Sequence, residues 1–268
     1  MRKRFQFGKN WMVFSKSVDE ERIKLAEDSL KSMLKVDNLI GKSFLDIGCG
    51  SGLFSLAARR LGAVVHSFDY DPDSVACAND LKALYLADDE LWTIENGSVL
   101  DIMYLDQLGQ FDIVYSWGVL HHTGEMWKAM ENVIMPVSEN GVLFVSIYNH
   151  QQIFSSYWRC VKRFYNFVPK LIKKILEIGF WLYFVIGLFI FDILRRKNPL
   201  ARHYGKGRRG MRIFTDVVDW IGGWPFEVAT PEQVFRFYRD RGFSLVEMKT
   251  CGGKLGCNEF VFAKSVEC

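Results

Sequence analysis

The stretch Phe44-Leu45-Asp46-Ile47-Gly48-Cys49-Gly50-Ser51-Gly52 limits the possible folds more than any other part of the chain. An apolar run bounded by Gly41 and Gly48 has the length and composition of a buried strand. Three glycines at alternate positions follow, and Leu53 to Leu61 then opens a helix. Glycine suits such a turn because the backbone must reverse tightly and lie against a ligand, where a Cβ would intrude. The next apolar run, Ala63 to Phe68, ends on Asp69, twenty-one residues beyond Gly48. A carboxylate at that distance is placed to hydrogen-bond a ribose. Strand, glycine turn, helix, strand and terminal acid together point to a cofactor that contains a nucleoside.

The dinucleotide fingerprint is G-x-G-x-x-G, whereas this turn reads D-x-G-x-G-x-G. An acid precedes the first glycine, where it would repel a pyrophosphate but suits a ligand carrying an ammonium group. The pattern resembles motif I of the class I S-adenosylmethionine-dependent methyltransferases. That resemblance implies S-adenosyl-L-methionine as cofactor and an α/β fold. Its sheet would be Rossmann-like and seven-stranded, mostly parallel with the last strand antiparallel, with helices on both faces and a helical insert. It also implies that Asp46, Gly48, Cys49, Gly50, Asp69 and Tyr70 lie at the cofactor.

From 41 to 149 the chain alternates strand and helix, as a parallel sheet covered on both faces requires. Strands are expected at 43–47, 63–68, 92–95, 111–115 and 141–147, with crossovers from the helix after the glycine turn, from 73–84 and from 124–134. Ligands of such sheets bind beyond the carboxyl ends of the strands. The glycine turn, Asp69, Gly97-Ser98-Val99 and Ser116-Trp117-Gly118 all fall there. By the same resemblance Ser98 and Val99 bound the adenine, Trp117 touches the cofactor, and Arg22 grips its carboxylate.

Arg22 stands in a stretch predicted helical from Ser17 to Leu34, with Asp19 as its cap. Ahead of it, Phe5, Phe7, Trp11 and Phe14 are either a lid over the cofactor or edge packing. Methyl transfer to a hydroxyl gains from a base that removes its proton. His121 and His122, in Leu120-His121-His122-Thr123 just past the fourth strand, are the candidates, because imidazole titrates near neutrality. The loop resembles the E-x-x-E-H of ubiquinone-type O-methyltransferases, but Gly118 and His121 replace its two carboxylates. No metal site is therefore expected. A D/N-P-P-Y-like segment and a Pro-Cys pair are both absent, which argues against base-nitrogen and cytosine-C5 methylation.

The net charge of +3 conceals an asymmetry. Between Arg159 and Arg212 fourteen Lys/Arg face two acids, a net +12, while the rest of the chain sums to −9. Within that segment Ile175 to Leu194 is apolar apart from Glu177 and Asp192, with lysines before it and Arg195, Arg196 and Lys197 after it. Its uncharged core, 178–191, is short of the ~20 residues needed to span a bilayer. A helix apolar all round must be buried in protein, lipid or a partner. Three readings stay open for 171–197: a packed lid, an anchor dipping into a membrane surface, and a true span.

Beyond the insert, Asp219, Trp220 and Glu227 in Asp219-Trp220-Ile221-Gly222-Gly223-Trp224-Pro225-Phe226-Glu227 read as a loop, paired with Gly252 to Glu259, which includes Asn258. Carboxylates that accept from hydroxyls and indoles that stack on sugars suit a polyhydroxylated ligand. Thr230-Pro231-Glu232 starts a helix that Gly242 stops. Residues 243–249 and 259–264 read as the final strands. Six cysteines without a C-x-x-C pair favour a reducing compartment, and no apolar h-region follows the basic start, so export is not expected.

The division expected is an N-terminal lid and helix (1–40), a cofactor-binding core (41–149), a basic apolar helical insert (150–215) and a C-terminal part carrying acceptor-side loops (216–268). The expected activity is O-methylation of a small or lipid-linked hydroxylated acceptor, such as a glycan sugar or a polyprenyl phenol, in the cytoplasm or at the inner face of its membrane. An RNA methyltransferase using the basic segment, and a non-catalytic cofactor-binding module at a membrane, are the alternatives. Nucleic acid is not the expected partner.

Overall fold

The computed structural model describes residues 5–15, 17–194 and 213–264. The seven strands are β1 (Ser43–Ile47), β2 (Val64–Asp69), β3 (Trp92–Asn96), β4 (Phe111–Trp117), β5 (Val137–Tyr148), β6 (Phe243–Lys249) and β7 (Cys257–Lys264). They form one sheet in the order β3-β2-β1-β4-β5-β7-β6. The first five are parallel, and β7 runs antiparallel to both β5 and β6. The expected fold class is the observed one. β5 begins four residues earlier than its apolar run suggests, because Asn140 takes a left-handed backbone and the register against β4 shifts between Phe111 and Ile113.

Successive residues of a strand face opposite sides of a sheet. Leu45, Val114 and Leu143 therefore pack on one face, while Phe44, Ile113 and Phe144 pack on the other. The second face is covered by α2 (Glu20–Leu34) and α3 (Leu53–Arg60). Asp19 starts α2 by accepting from the Arg22 N–H, and Ile23, Ala26 and Leu30 form its buried stripe. The first face is covered by α5 (Ile102–Leu108), α6 (Met126–Asn132) and α10 (Pro231–Arg239). Thr230 and Gln233 make a full capping box at the start of α10, as its sequence predicts. α4 (Pro72–Tyr85) carries its Cys77, Ala78 and Leu81 inward.

Among the described residues four further helices lie outside this frame: α1 (Gly8–Ser15), α7 (Ile153–Phe167), α8 (Lys170–Leu194) and α9 (Ile213–Gly222). α7 and α8 run antiparallel, joined at Val168-Pro169, with Tyr165 opposite Glu177 and Trp158 beside Phe180 and Phe184. With α9 they build a third core around Trp158, Tyr165, Ile221 and Phe226. The loop expected over Asp219-Trp220 is instead the end of α9, because Val217 and Ile221 are buried one turn apart. The cationic stretch 195–212 and Cys268 lie outside the described residues.

Candidate active site

β1, β2 and β3 proceed one way across the sheet and β4 and β5 the other, so a crevice opens between the carboxyl ends of β1 and β4. A cavity of about 870 Å³ occupies it. Its wall takes Gly48, Asp69, Gly97, Trp117 and Tyr148, one residue at or just past the end of each parallel strand. The β5–β7 register pairs Tyr148 with Cys257 and so adds Leu255, Gly256 and Cys257 to the far end of the cavity.

At the near end, Gly48 has φ 78°, and an added Cβ would come within 2.5 Å of the Val119 side chain. Gly50, also left-handed, lies beneath the Trp11 ring. Asp69 Oδ2 accepts from the Gly50 N–H at 3.0 Å, and Oδ1 accepts from the Asp71 N–H at 2.9 Å. Burial pushes the Asp69 carboxyl up to about 6, against the pull of those backbone donors. Tyr70, Ser98, Val99 and Trp117 line the same end.

Four residues assigned to the cofactor are not part of the cavity wall: Gly50, which lies under Trp11, and Asp46, Cys49 and Arg22. Asp46 is fully enclosed behind the turn and accepts from Ser55 Oγ at 2.5 Å. Ser55 accepts from Ser67 Oγ at 2.8 Å, which accepts from Trp92 Nε1 at 2.8 Å, so a buried chain of donors ends on Asp46. Burial raises the Asp46 carboxyl to about 7, opposed by Ser55 and reinforced by the Asp69 charge. Its carboxylate therefore braces the turn from behind. Cys49 is buried and its thiol is pushed up by burial. Arg22 bonds Asp19 at 3.3 Å on its own helix and is not part of the cavity wall.

The N-terminal segment is the roof. Phe5, Phe7 and Trp11 all line the cavity. The Phe5 N–H donates to the Trp224 carbonyl at 3.0 Å, and the Phe7 ring lies 4.9 Å from His122. At the other end of the roof, the Gly8 N–H reaches Asp71. The aromatic stretch thus lines the cavity and is fixed at both of its own ends.

The two adjacent histidines part company. His121 is completely buried, its ring 3.9 Å from Tyr148, and Nε2 has no partner. His122 lines the cavity and its Nδ1 lies 2.7 Å from the Pro225 carbonyl. A carbonyl can only accept, so Nδ1 carries the proton and Nε2 keeps the lone pair. Burial, then the Lys162 charge, pushes the His122 imidazole down to about 3, against the Pro225 carbonyl. It is neutral at working pH, and Nε2 is an acceptor throughout.

Lys162 escapes sequence reasoning, which sees only one more cation in a basic segment. It is fully buried, donates to the Trp220 carbonyl and sits 4.3 Å from the Trp220 ring centroid and 4.8 Å from that of Phe226. Its ammonium is held by cation–π contact behind the aromatic wall that Tyr148 and Trp220 present to the cavity.

Of the acceptor-side residues, Trp220 reaches the cavity wall. Glu227 does not. Its Oε2 accepts from the Met126 N–H at 3.0 Å and closes the start of α6. Asn258 is buried, donating to Asn149 Oδ1 and accepting from the Cys251 N–H, and so ties down the β6–β7 connection. The Asp219 side chain lies outside the described residues. No cluster of His, Cys, Asp and Glu able to hold a metal occurs among the described residues.

A family model described as a methyltransferase domain matches residues 18–188. A ubiquinone biosynthesis O-methyltransferase of Glaesserella parasuis serovar 5 is 31% identical over 121 residues, 43% of this chain and 49% of that protein. A ribosomal protein L11 methyltransferase of Helicobacter hepaticus is 39% identical over 110 residues, 41% of this chain and 32% of that protein. The chain thus matches about half the length of the first relative and a third of the second. Among solved structures, the magnesium protoporphyrin IX methyltransferase of Synechocystis PCC 6803 with bound SAH superposes at a TM-score of 0.53. It covers 92% of this chain and 89% of that one at 18% identity, a likeness of fold.

Proposed function

The chain belongs to the class I S-adenosylmethionine-dependent methyltransferases, and from that premise we propose that it methylates a hydroxyl of a small or lipid-linked acceptor. A glycan sugar or a polyprenylated phenol has the right chemistry. S-adenosylmethionine, when bound, supplies a methyl group already activated on a sulfonium. Gly48, Asp69, Tyr70, Ser98, Val99 and Trp117, which share one cavity wall, would hold it.

The observation that carries the reading is continuity. Asp69 and Ser98 at one end, and His122, Tyr148 and Trp220 at the other, wall one space. Alignment of a nucleophile and exclusion of water are the main tasks the protein has left. His122 Nε2 accepts the hydroxyl hydrogen and orients the oxygen. Because burial, and after it the Lys162 charge, disfavours the imidazolium, the aid is mainly one of orientation, and a hydroxyl that ionises readily is favoured. The lid and the aromatic wall keep water out.

Contact of residues 171–197 with the inner face of the cytoplasmic membrane belongs to the same proposal. The segment that suggested RNA, 159–212, lies outside the described residues from 195 onward, and the outward side chains of α8 are mostly apolar. Methyl-labelled cofactor, incubated with lipid, glycan and RNA fractions of cells lacking the protein, tests the reading. Label released from a lipid or glycan fraction as a methyl ether is expected. Label on nitrogen, or on RNA with an affinity that falls steeply with salt, would overturn it.

A further inference from the structure

The side chains of α8 divide into two stripes. Leu176, Phe180 and Phe184 pack into the third core, and Glu177 accepts from the Tyr165 hydroxyl at 2.6 Å. Leu171, Ile175, Ile178, Leu182 and Ile186, spaced three and four apart, face outward, with Leu171 73% and Ile175 62% exposed. By length and composition Lys170–Phe191 could cross a membrane. A crossing helix would have to abandon the inner stripe and carry Glu177 into lipid.

α7 repeats the division. Ser155, Trp158, Lys162 and Tyr165 face inward. Outward lie Ile153, Tyr157, Phe164 and Phe167, with Ile153 82% exposed, flanked by the exposed Arg159 and Arg163. Lys170 and Lys174 are exposed at the start of α8. Among the described side chains of the two helices no acid is exposed. Apolar side chains bordered by Arg and Lys are the signature of helices that lie within the headgroup region of a bilayer.

The hairpin also joins the cavity. Phe184 stacks on Trp158 at 6.3 Å, Trp158 meets Trp220 at 5.3 Å, and Trp220 meets Tyr148 at 5.3 Å. The last two rings of that chain are cavity wall. Asn149 and Gln151, which lead into α7, bond the carbonyls of Lys254 and Gly253, so the exposed Leu255 stands at the same edge as the start of α7.

We propose that α7 and α8 together form a docking surface that lies in the plane of an anionic lipid bilayer, so that an amphiphilic acceptor enters the cavity from the headgroup layer. The occupant is lipid rather than a second copy, because pairing two such faces would set cations against cations. The identity of the entering acceptor rests on the proposed O-methylation; the docking does not.

Flotation of the full chain with phosphatidylcholine vesicles, with and without phosphatidylglycerol, reads the docking with no acceptor present. Recovery with the anionic vesicles, reduced by salt, is expected. Phe164→Ser combined with Phe167→Ser should lower the partition by roughly tenfold or more. Arg163→Glu combined with Lys174→Glu should erase the preference for phosphatidylglycerol. Both variants should bind S-adenosylhomocysteine as the parent does, which shows that they fold. The proposal is overturned by a parent chain that floats with neither vesicle. Resistance to alkaline extraction from cell membranes, or a dimer in solution that the Phe164/Phe167 variant dissociates, also overturns it. Absence of methyl transfer alongside normal flotation would instead remove the O-methylation reading and leave the docking.

Discussion

The backbone N–H of Gly8 donates to Asp71 Oδ2 at 3.0 Å, joining the first turn of the lid to the residue two places past Asp69. The same Asp71 caps α4 through Oδ1, and its own N–H donates to Asp69. The N-terminal segment, the α4 cap and the Asp69 carboxylate are therefore one hydrogen-bonded unit.

A methyl group at Gly8 tests that unit. Its Cβ would lie 2.5 Å from Asp73 Cβ and 2.8 Å from the Ser74 nitrogen. Gly8→Ala should disturb the lid at about 1–3 kcal/mol, weakening S-adenosylhomocysteine binding by roughly fivefold or more. Isothermal titration reads the affinity, and calorimetry checks that the sheet still melts near the parent temperature. Unchanged affinity would separate the lid from the cofactor.

The buried Asp46 predicts a pH dependence of stability. Its carboxyl lies at about 7 in the fold against an ordinary 3.8, so the native chain holds this proton more tightly than the unfolded one. Stability from this group is present at low pH and lost as pH rises from about 4 to 7, at about 1.4 kcal/mol per unit. Asp46→Asn removes the loss and still accepts from Ser55. Relative to the parent, the variant should gain stability through that window and hold the gain above it. Urea melts at several pH values measure this, and a difference that stays flat would mean that Asp46 ionises as in water.

The two histidines should separate in kinetics. His122→Ala should lower kcat by about 10²-fold or less, at the bottom of the range for a proton acceptor, since its main task is orientation. It should leave S-adenosylhomocysteine binding intact. His121→Ala should chiefly destabilise, as a buried ring packed 3.9 Å from Tyr148 is lost. A His121 variant that is stable but inactive would reverse these roles.

Lys162→Met isolates the caged charge. Removing a cation beside His122 favours the imidazolium, so the His122 pKa should move up, as read by imidazole proton NMR. Methionine fills a similar volume, but the Trp220 carbonyl loses its donor, so a modest loss of stability, about 1–3 kcal/mol, is expected alongside. A His122 titration that does not move would mean that Lys162 acts on the wall by packing alone.

The strand positions, the glycine turn, the Asp19 and Thr230 caps and the acid at the end of the second strand were legible in the sequence because each is a local signal. Hydrophobic period and capping residues act within a few positions. The failures share another cause. Glu227 and Asn258 look like ligand groups, but their partners, Met126 and Asn149, lie more than a hundred residues away. Trp220 among glycines and acids suggests a loop, whereas burial of Val217 and Ile221 against the insert makes it helical. α1 carries no amphipathic period, and only docking on α4 and the glycine turn makes it a helix. Lys162 is invisible for the same reason, since its aromatic cage is assembled from three separate segments.

The place of β7 between β5 and β6 has a consequence during synthesis. Strands β1 to β5 can pair as soon as residue 148 leaves the ribosome, but one edge of β5 stays open until residues 257–264 arrive. In that interval the nascent chain shows both a bare strand edge and the apolar α7–α8 hairpin, two features that invite misassembly. Any surface that captured the hairpin early would shorten that exposure.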